Sequence, residues 1–213
     1  FSIFILTAFV ANVVVRDDET GFGPIIQSTR LSRFDYLFGR FTGAFAAGCL
    51  LFLSAPLGMI VGAAMPWLDP EVLGPFNLWH YVYVYLLLCV PTLFVTGAGF
   101  FAIATATRSM MWTYVGVIVF LVLCLVATSF LSRPEFINTV ALVDPFGLGA
   151  YDQATRYWTA AERNKQIPDF AGYILWNRAL WVAVAFALLG LAWAIYARAA
   201  TGGRMAATRA PDK

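Results

Sequence analysis

The chain has 213 residues, of which 61% are hydrophobic and only 12% charged, with a mean hydropathy of +0.74. Soluble domains are about half apolar and about a quarter charged, and disordered chains combine low hydrophobicity with high net charge, so neither class fits. Lys and Arg number 14 against 12 Asp and Glu, and a net charge of +2 leaves no electrostatic footprint for a nucleic-acid partner.

The first element, Phe1 to Val15, is apolar but reaches only about 22 Å as a helix, short of the roughly 30 Å of hydrocarbon that a membrane helix covers. It lacks an initiating Met, a basic n-region and a small-residue cleavage site, so it does not read as a signal peptide. The expectation is a chain that begins inside a transmembrane helix, an N-terminally truncated fragment.

The polar segment Arg16 to Arg40 follows. Pro24 suits the first turn of a short helix, and the acidic approach Asp17, Asp18 and Glu19 complements its positive end. A second start is expected at Ser32, where Ser-Arg-Phe-Asp has capping-box spacing with Asp35 in place of the usual Glu. Phe34, Leu37, Phe38 and Phe41 then recur at three or four residues and lead into a span.

Four windows are long and apolar enough to cross: Phe41 to Met65, His80 to Thr107, Met111 to Leu131 and Ala179 to Ala197. None has an ionisable side chain in its interior, and Arg40, His80, Arg108, Arg178 and Arg198 stand at the ends. Backbone groups in lipid must pair within their own segment, so the fold class is all-α, a polytopic transmembrane helix bundle of four full spans plus a partial N-terminal one. Pro91 in the second span predicts a kink. Cys49, Cys89 and Cys124 each fall inside a span and read as small apolar fillers. The Gly-x-x-x-Gly spacings Gly39/Gly43 and Gly58/Gly62 permit close helix contact.

Between the third and fourth windows lies the loop Ser132 to Arg178. Asp144-Pro145 is a good helix start, and Tyr151, Ala154, Tyr157, Trp158 and Ala161 make an apolar stripe, so an interfacial helix is expected here. Arg178 reads as an anchor at the outer end of the last span. The tail Ala199 to Lys213, rich in Ala, Gly and Arg, reads as disordered.

Helix parity places nine cations on one side (Arg16, Arg30, Arg33, Arg40, Arg108, Arg198, Arg204, Arg209 and Lys213) and five on the other (Arg133, Arg156, Arg163, Lys165 and Arg178). The first set is therefore expected to be cytoplasmic, with the C-terminal tail inside and the long loop outside. Chemistry is sparse. A single His forbids a His-Glu-x-x-His zinc site in this chain, and no phosphate-cradling G-x-x-x-x-G-K-[ST] or hydrolase G-x-S-x-G motif occurs. Nor does any span hold the mid-membrane carboxylate of an ion-coupled carrier. Energy for any transport must then come from another polypeptide.

The run Glu19-Thr20-Gly21, Ile25-Ile26, Ser28-Thr29, Leu31-Ser32-Arg33, Tyr36-Leu37 and Gly39-Arg40 resembles the cytoplasmic loop of the ABC-2 class of ABC transporter permeases. In that family the segment joins the second and third of six helices and docks on the ATPase as a coupling helix. The resemblance implies an ATPase-coupling interface at Glu19, Thr20, Gly21, Phe22, Ile25, Ile26, Ser28 and Arg33. A solvated juxtamembrane face is the alternative reading of Glu19 and Arg33.

A second resemblance, to a subgroup of these permeases, lies in Asp144-Pro145-Phe146-Gly147, Thr155-Arg156-Tyr157-Trp158, Glu162-Arg163-Asn164 and Asn177-Arg178-x-x-Trp181. That subgroup is often fused to, or encoded beside, a zinc aminopeptidase-like domain, whose zinc motif this chain lacks. The implied protein is residues 1–198 of an ABC-2 transmembrane domain in a bacterial inner membrane, an exporter subunit without catalytic or metal residues. It carries no cofactor of its own, with ATP and Mg on a partner ATP-binding subunit. The implied partners are that subunit, a second permease as homodimer or heterodimer, the lipid bilayer and a peptidase. A membrane anchor or scaffold for a peptidase or assembly factor is the alternative.

Overall fold

The computed structural model describes residues 6–10, 12, 32–66, 76–131 and 134–207. Every regular element among them is helical. Four helical stretches are long and apolar enough to cross a membrane: Phe34–Ala63, Leu78–Thr107, Met110–Ala127 and Gly172–Arg198. The chain is thus an all-α polytopic helical protein.

In order, the helices are α1 (Arg33–Phe52), α2 (Ser54–Ala63), α3 (Leu78–Val84), a π-helical turn (Tyr85–Cys89), α4 (Val90–Thr107), α5 (Met110–Leu131), a short 3-10 turn (Pro134–Phe136), α6 (Ile137–Val143), α7 (Leu148–Thr155), α8 (Ala160–Lys165) and α9 (Gly172–Ala207). The start of α1 falls where the cap signal puts it. Ser32 Oγ accepts from the Asp35 backbone N–H at 3.1 Å and donates to the Asp35 carboxylate at 2.5 Å. Asp is one methylene shorter than the usual Glu, and here its carboxylate meets the capping hydroxyl.

Pro56 explains why the first span is two helices, since its ring has no N–H and crowds the carbonyl four residues back. The helix breaks at Leu53, and Ser54 Oγ bonds the Leu51 carbonyl at 2.6 Å. The last helix runs to Ala207, so residues 199–207 are helical where composition suggested disorder.

The chain forms two compact units. One comprises residues 1–47, 96–120 and 185–213. Its core holds Leu6, Val10, Leu37, Phe41, Phe101, Val117 and Leu189, all buried. The Phe41 and Phe101 rings meet edge to face at 5.3 Å. Gly97 faces this core, where a Cβ would stand in ordinary van der Waals contact with Leu6 at 3.6 Å and Phe41 at 3.7 Å. Arg108, in the two-residue link from α4 to α5, takes a left-handed φ of 50°.

The second unit comprises residues 48–95 and 121–184. Ala141 of α6, Ala150 of α7 and Ile174 of α9 form its small core, with Leu87 packed against them. Tyr83 Oη donates to the Pro168 carbonyl and Tyr85 Oη to the Cys49 carbonyl, each at 2.5 Å. Cys49, Cys89 and Cys124 are free thiols. Among the described residues, a Cβ at Gly39, Gly43, Gly58 or Gly62 would meet nothing within 4 Å.

Candidate functional site

The second unit contains a buried polar cluster. Its first component comes from Pro91. A proline in mid-helix removes one backbone donor and needs room at the preceding turn. The turn Tyr85–Cys89 supplies that room by adopting π geometry, with the Val90 N–H bonded to the Tyr85 carbonyl. Where a kink was expected, the structure shows a widened turn just before Pro91, and Thr92 follows directly.

The second component is the connection between α6 and α7. Asp144 accepts twice from backbone, through Oδ1 from the Phe146 N–H at 2.9 Å and through Oδ2 from the Gly149 N–H at 2.8 Å. The first bond closes an Asx turn, and the second serves the first turn of α7. Gly147 sits at φ 75°, ψ 11°, the left-handed region where only glycine is unstrained. Sequence placed a helix start at Asp144-Pro145. Instead one helix ends at Val143 and the next begins at Leu148, with Pro145 in the turn between them.

The apolar stripe from Tyr151 to Ala161 is likewise interrupted. Helix α7 ends at Thr155, and α8 starts from a new capping box in which Thr159 and Glu162 bond reciprocally. Tyr157 is 90% exposed, and the Trp158 N–H closes the turn onto the Thr155 carbonyl at 3.1 Å. Neither joins the buried cluster.

The third component is the pair Asn177-Arg178 on α9. Asn177 is fully buried. Its Nδ2 lies 2.9 Å from the carbonyls of Ala141, Leu142 and Asp144. Ala141 and Leu142 lie in the last turn of α6, which leaves their carbonyls without helical partners; the Asp144 carbonyl also accepts from the Gly147 N–H at 3.2 Å. Its Oδ1 accepts from Arg178, from Nε at 3.0 Å and Nη2 at 2.5 Å. Three carbonyls on one side and a guanidinium on the other fix the amide orientation, since only the NH2 group can face the carbonyls.

Arg178 is 4% exposed. Beyond Asn177, its Nη2 reaches the Pro145 carbonyl and its Nη1 reaches Thr92 Oγ1, both at 3.4 Å. Thr92 Oγ1 in turn lies 3.4 Å from the Phe146 carbonyl. Among the described residues no carboxylate stands within ion-pair distance of the guanidinium; the nearby Asp144 carboxylate, turned to its own backbone, acts on it as a counter-charge through space. The missing side chain of Gly147 makes the room, because a Cβ there would overlap the Arg178 guanidinium.

This corrects the reading of Arg178 as an interfacial anchor. The last helix begins at Gly172, not Ala179, so Arg178 lies two turns inside it and is buried. The hydropathy window stopped at the first charge, whereas the helix runs on through a charge whose donors are occupied.

Of the residues singled out in the sequence, Asp144, Pro145, Phe146, Gly147, Asn177 and Arg178 therefore meet in one clasp. Thr92 completes it, and no motif marked it. The only hint was its place after a mid-span proline. The residues expected from the resemblance to form a coupling interface, Glu19, Thr20, Gly21, Phe22, Ile25, Ile26 and Ser28, lie outside the described residues. Arg33 is the first residue of α1. The described residues hold no group of three or more His, Cys, Asp or Glu able to bind a metal ion. The clasp offers buried donors and acceptors that hold the α6–α7 turn, α9 and Thr92 together. No family model, curated protein or solved structure matches the chain.

Proposed function

We propose that this chain is the transmembrane permease subunit of an ATP-driven ABC exporter in a bacterial inner membrane, with its C-terminal tail in the cytoplasm. ATP and Mg are handled by a partner ATP-binding subunit, and two permeases, identical or related, stand over two such subunits. The reading rests on the resemblance of Glu19 to Arg40 to the ABC-2 coupling segment and of Asp144 to Trp181 to its subgroup.

One structural observation supports the mechanism: Ser32, within the segment that carries the resemblance, caps a long helix. Ser32 caps α1, and α1 continues unbroken from Arg33 to Phe52. Twenty residues of helix make a rod of about 30 Å. A displacement imposed at Thr20 to Ser32 by closure of the ATPases would travel along that rod as a rigid-body motion, which is what alternating access requires.

The test is a pull-down of the full-length, detergent-solubilised protein from its native membrane, followed by an ATP hydrolysis assay on the eluate. A co-purifying ATPase, lost with Phe22→Asp or Ile26→Asp, is the expected result. These changes put an unpaired charge on the proposed docking face, where burial is costly. Recovery of a peptidase or assembly partner with no ATPase would refute the permease reading in favour of a scaffold.

A further inference from the structure

The end of α6 also builds a surface. Leu142 of α6 and Gly172, Tyr173, Trp176 and Leu180 of α9 line an open, almost wholly apolar groove of about 520 Å³, a size typical of small-ligand sites. Tyr173, Trp176 and Leu180 recur at three and four residues and so share one face of α9. Gly172 leaves that end of the groove clear, since a Cβ there would meet nothing within 4 Å. The opposite wall is fixed, because the Leu142 carbonyl accepts from Asn177 Nδ2 at 2.9 Å. The same bond satisfies a backbone group that hydrocarbon could not.

The depth of the groove points to its occupant. The span Gly172–Arg198 has 27 residues, or about 40 Å of helix, which matches the roughly 40–45 Å of a bilayer with its headgroup regions. Gly172 then stands at headgroup level and Leu180 about 12 Å deeper, in hydrocarbon. Tyr173 and Trp176 occupy the zone between, where amphipathic rings settle. A groove that starts at the headgroups and descends along a span follows the course of a phospholipid acyl chain. Trp176 is 68% and Leu180 47% exposed, and at this depth only lipid or protein can cover them. Among the described residues five line the groove, against the roughly 20–30 residues a side of a stable protein interface, so its size fits a lipid chain and not a protein partner.

We infer that this groove is a phospholipid site, in which one acyl chain packs between Leu142 and the face formed by Tyr173, Trp176 and Leu180 and is retained more firmly than lipid on a plain helix face. Lipid tails are as apolar as leucine, so the hydrophobic effect does not distinguish the groove from the surrounding bilayer. Packing does, because a chain in the groove touches protein on two sides and a chain on a helix face on one. The inference rests on the membrane-spanning character of the helices and is independent of any ATPase.

The test uses the full chain in phosphatidylcholine vesicles doped with a phosphatidylcholine that carries a diazirine in mid-chain. The protein is extracted into detergent with excess unlabelled lipid, irradiated after increasing delays and digested, and labelled peptides are identified by mass spectrometry. Leu123 of α5, 60% exposed, reports lipid on a helix face. Adducts on the peptides containing Leu142 and Tyr173 to Leu180 should outlast those at Leu123 roughly tenfold in time.

Leu142→Trp and Leu180→Trp fill the groove from its two walls, and each should cut the retained groove adduct roughly tenfold. Leu123→Trp adds similar bulk elsewhere and should leave the groove adduct unchanged. Proteolysis at the α6–α7 turn checks that the filled chains are folded, and the parent comparison decides without them if they are not. Groove adducts lost as fast as those at Leu123 would overturn the site, as would parental labelling in both filled chains. A groove never labelled in vesicles would overturn it in favour of protein cover.

Discussion

Replacing Asn177 by leucine removes a side chain of similar shape that has no apolar role to lose. In the parent its two N–H donors serve three carbonyls at 2.9 Å, and its oxygen receives two N–H groups of Arg178. Leaving buried carbonyls without donors costs about 1–3 kcal/mol each, and losing an acceptor for a charged donor about 1.5–3 kcal/mol. With two donors lost and one charged contact broken, the expected destabilisation is about 5 kcal/mol. For a chain of this length that corresponds to a fall of about 10–20 °C in the midpoint of thermal unfolding.

Asn177→Asp separates the two halves of the interaction. It keeps an acceptor for Arg178 but sets an oxygen against the carbonyls of Ala141, Leu142 and Asp144, so it should fall between parent and leucine. The assay is unfolding of the purified chain in one detergent at fixed concentration, with limited proteolysis at the α6–α7 turn as a local readout. A leucine variant that melts within about 2 °C of the parent would refute the claim that this amide fastens the hairpin.

Two further predictions concern positions where geometry decides the sign. Gly147→Ala should destabilise by roughly 3 kcal/mol or more, because a left-handed φ costs an alanine about 1–2 kcal/mol and its Cβ would also overlap the Arg178 guanidinium. Gly172→Ala, at φ 57° but with nothing within 4 Å, should show only the backbone cost of about 1 kcal/mol; equal losses at both sites would show that the guanidinium is not seated over Gly147. At Glu162, bonds from the Thr159 backbone N–H and hydroxyl hold the carboxyl below the ordinary glutamate range. Its contribution is present above the unfolded pKa and lost as pH falls through the lowered folded value, so amide exchange in α8, corrected for its intrinsic pH dependence, should rise on acidification, and Glu162→Gln should abolish that rise.

Much of the fold could be read from the residues alone, because apolar length is a one-dimensional property. The four spans and the Ser32 cap each follow from a local rule. The misreadings arise where local rules conflict. Asp144-Pro145 satisfies the pattern of a helix start, but the residue that decides the turn is Gly147, whose left-handed φ ends one helix and allows another three residues later than the pattern suggests. Arg178 satisfies the pattern of an anchor, because a hydropathy window counts its charge and cannot know that Asn177, Thr92 and Pro145 occupy its donors. Thr92 carried no signal, since its role depends on a partner 86 residues away.

The clasp also bears on why a short broken hairpin occurs beside helices long enough to cross a membrane. Ending α6 at Val143 leaves carbonyls that water would satisfy on a soluble protein, and away from water each must find a protein donor. Asn177 meets that need from within α9, which binds the break to the longest helix of the chain. An unbroken helix would need neither the asparagine nor the buried cation beside it. The break, the left-handed glycine and the buried guanidinium therefore form a single device, and each is costly unless the other two are present. That mutual dependence yields a further test of the arrangement: Gly147→Ala combined with Arg178→Met should lose less stability than the sum of the two single changes, since the second removes the group the first would strike. Strict additivity would show that the glycine and the arginine are independent features of the fold.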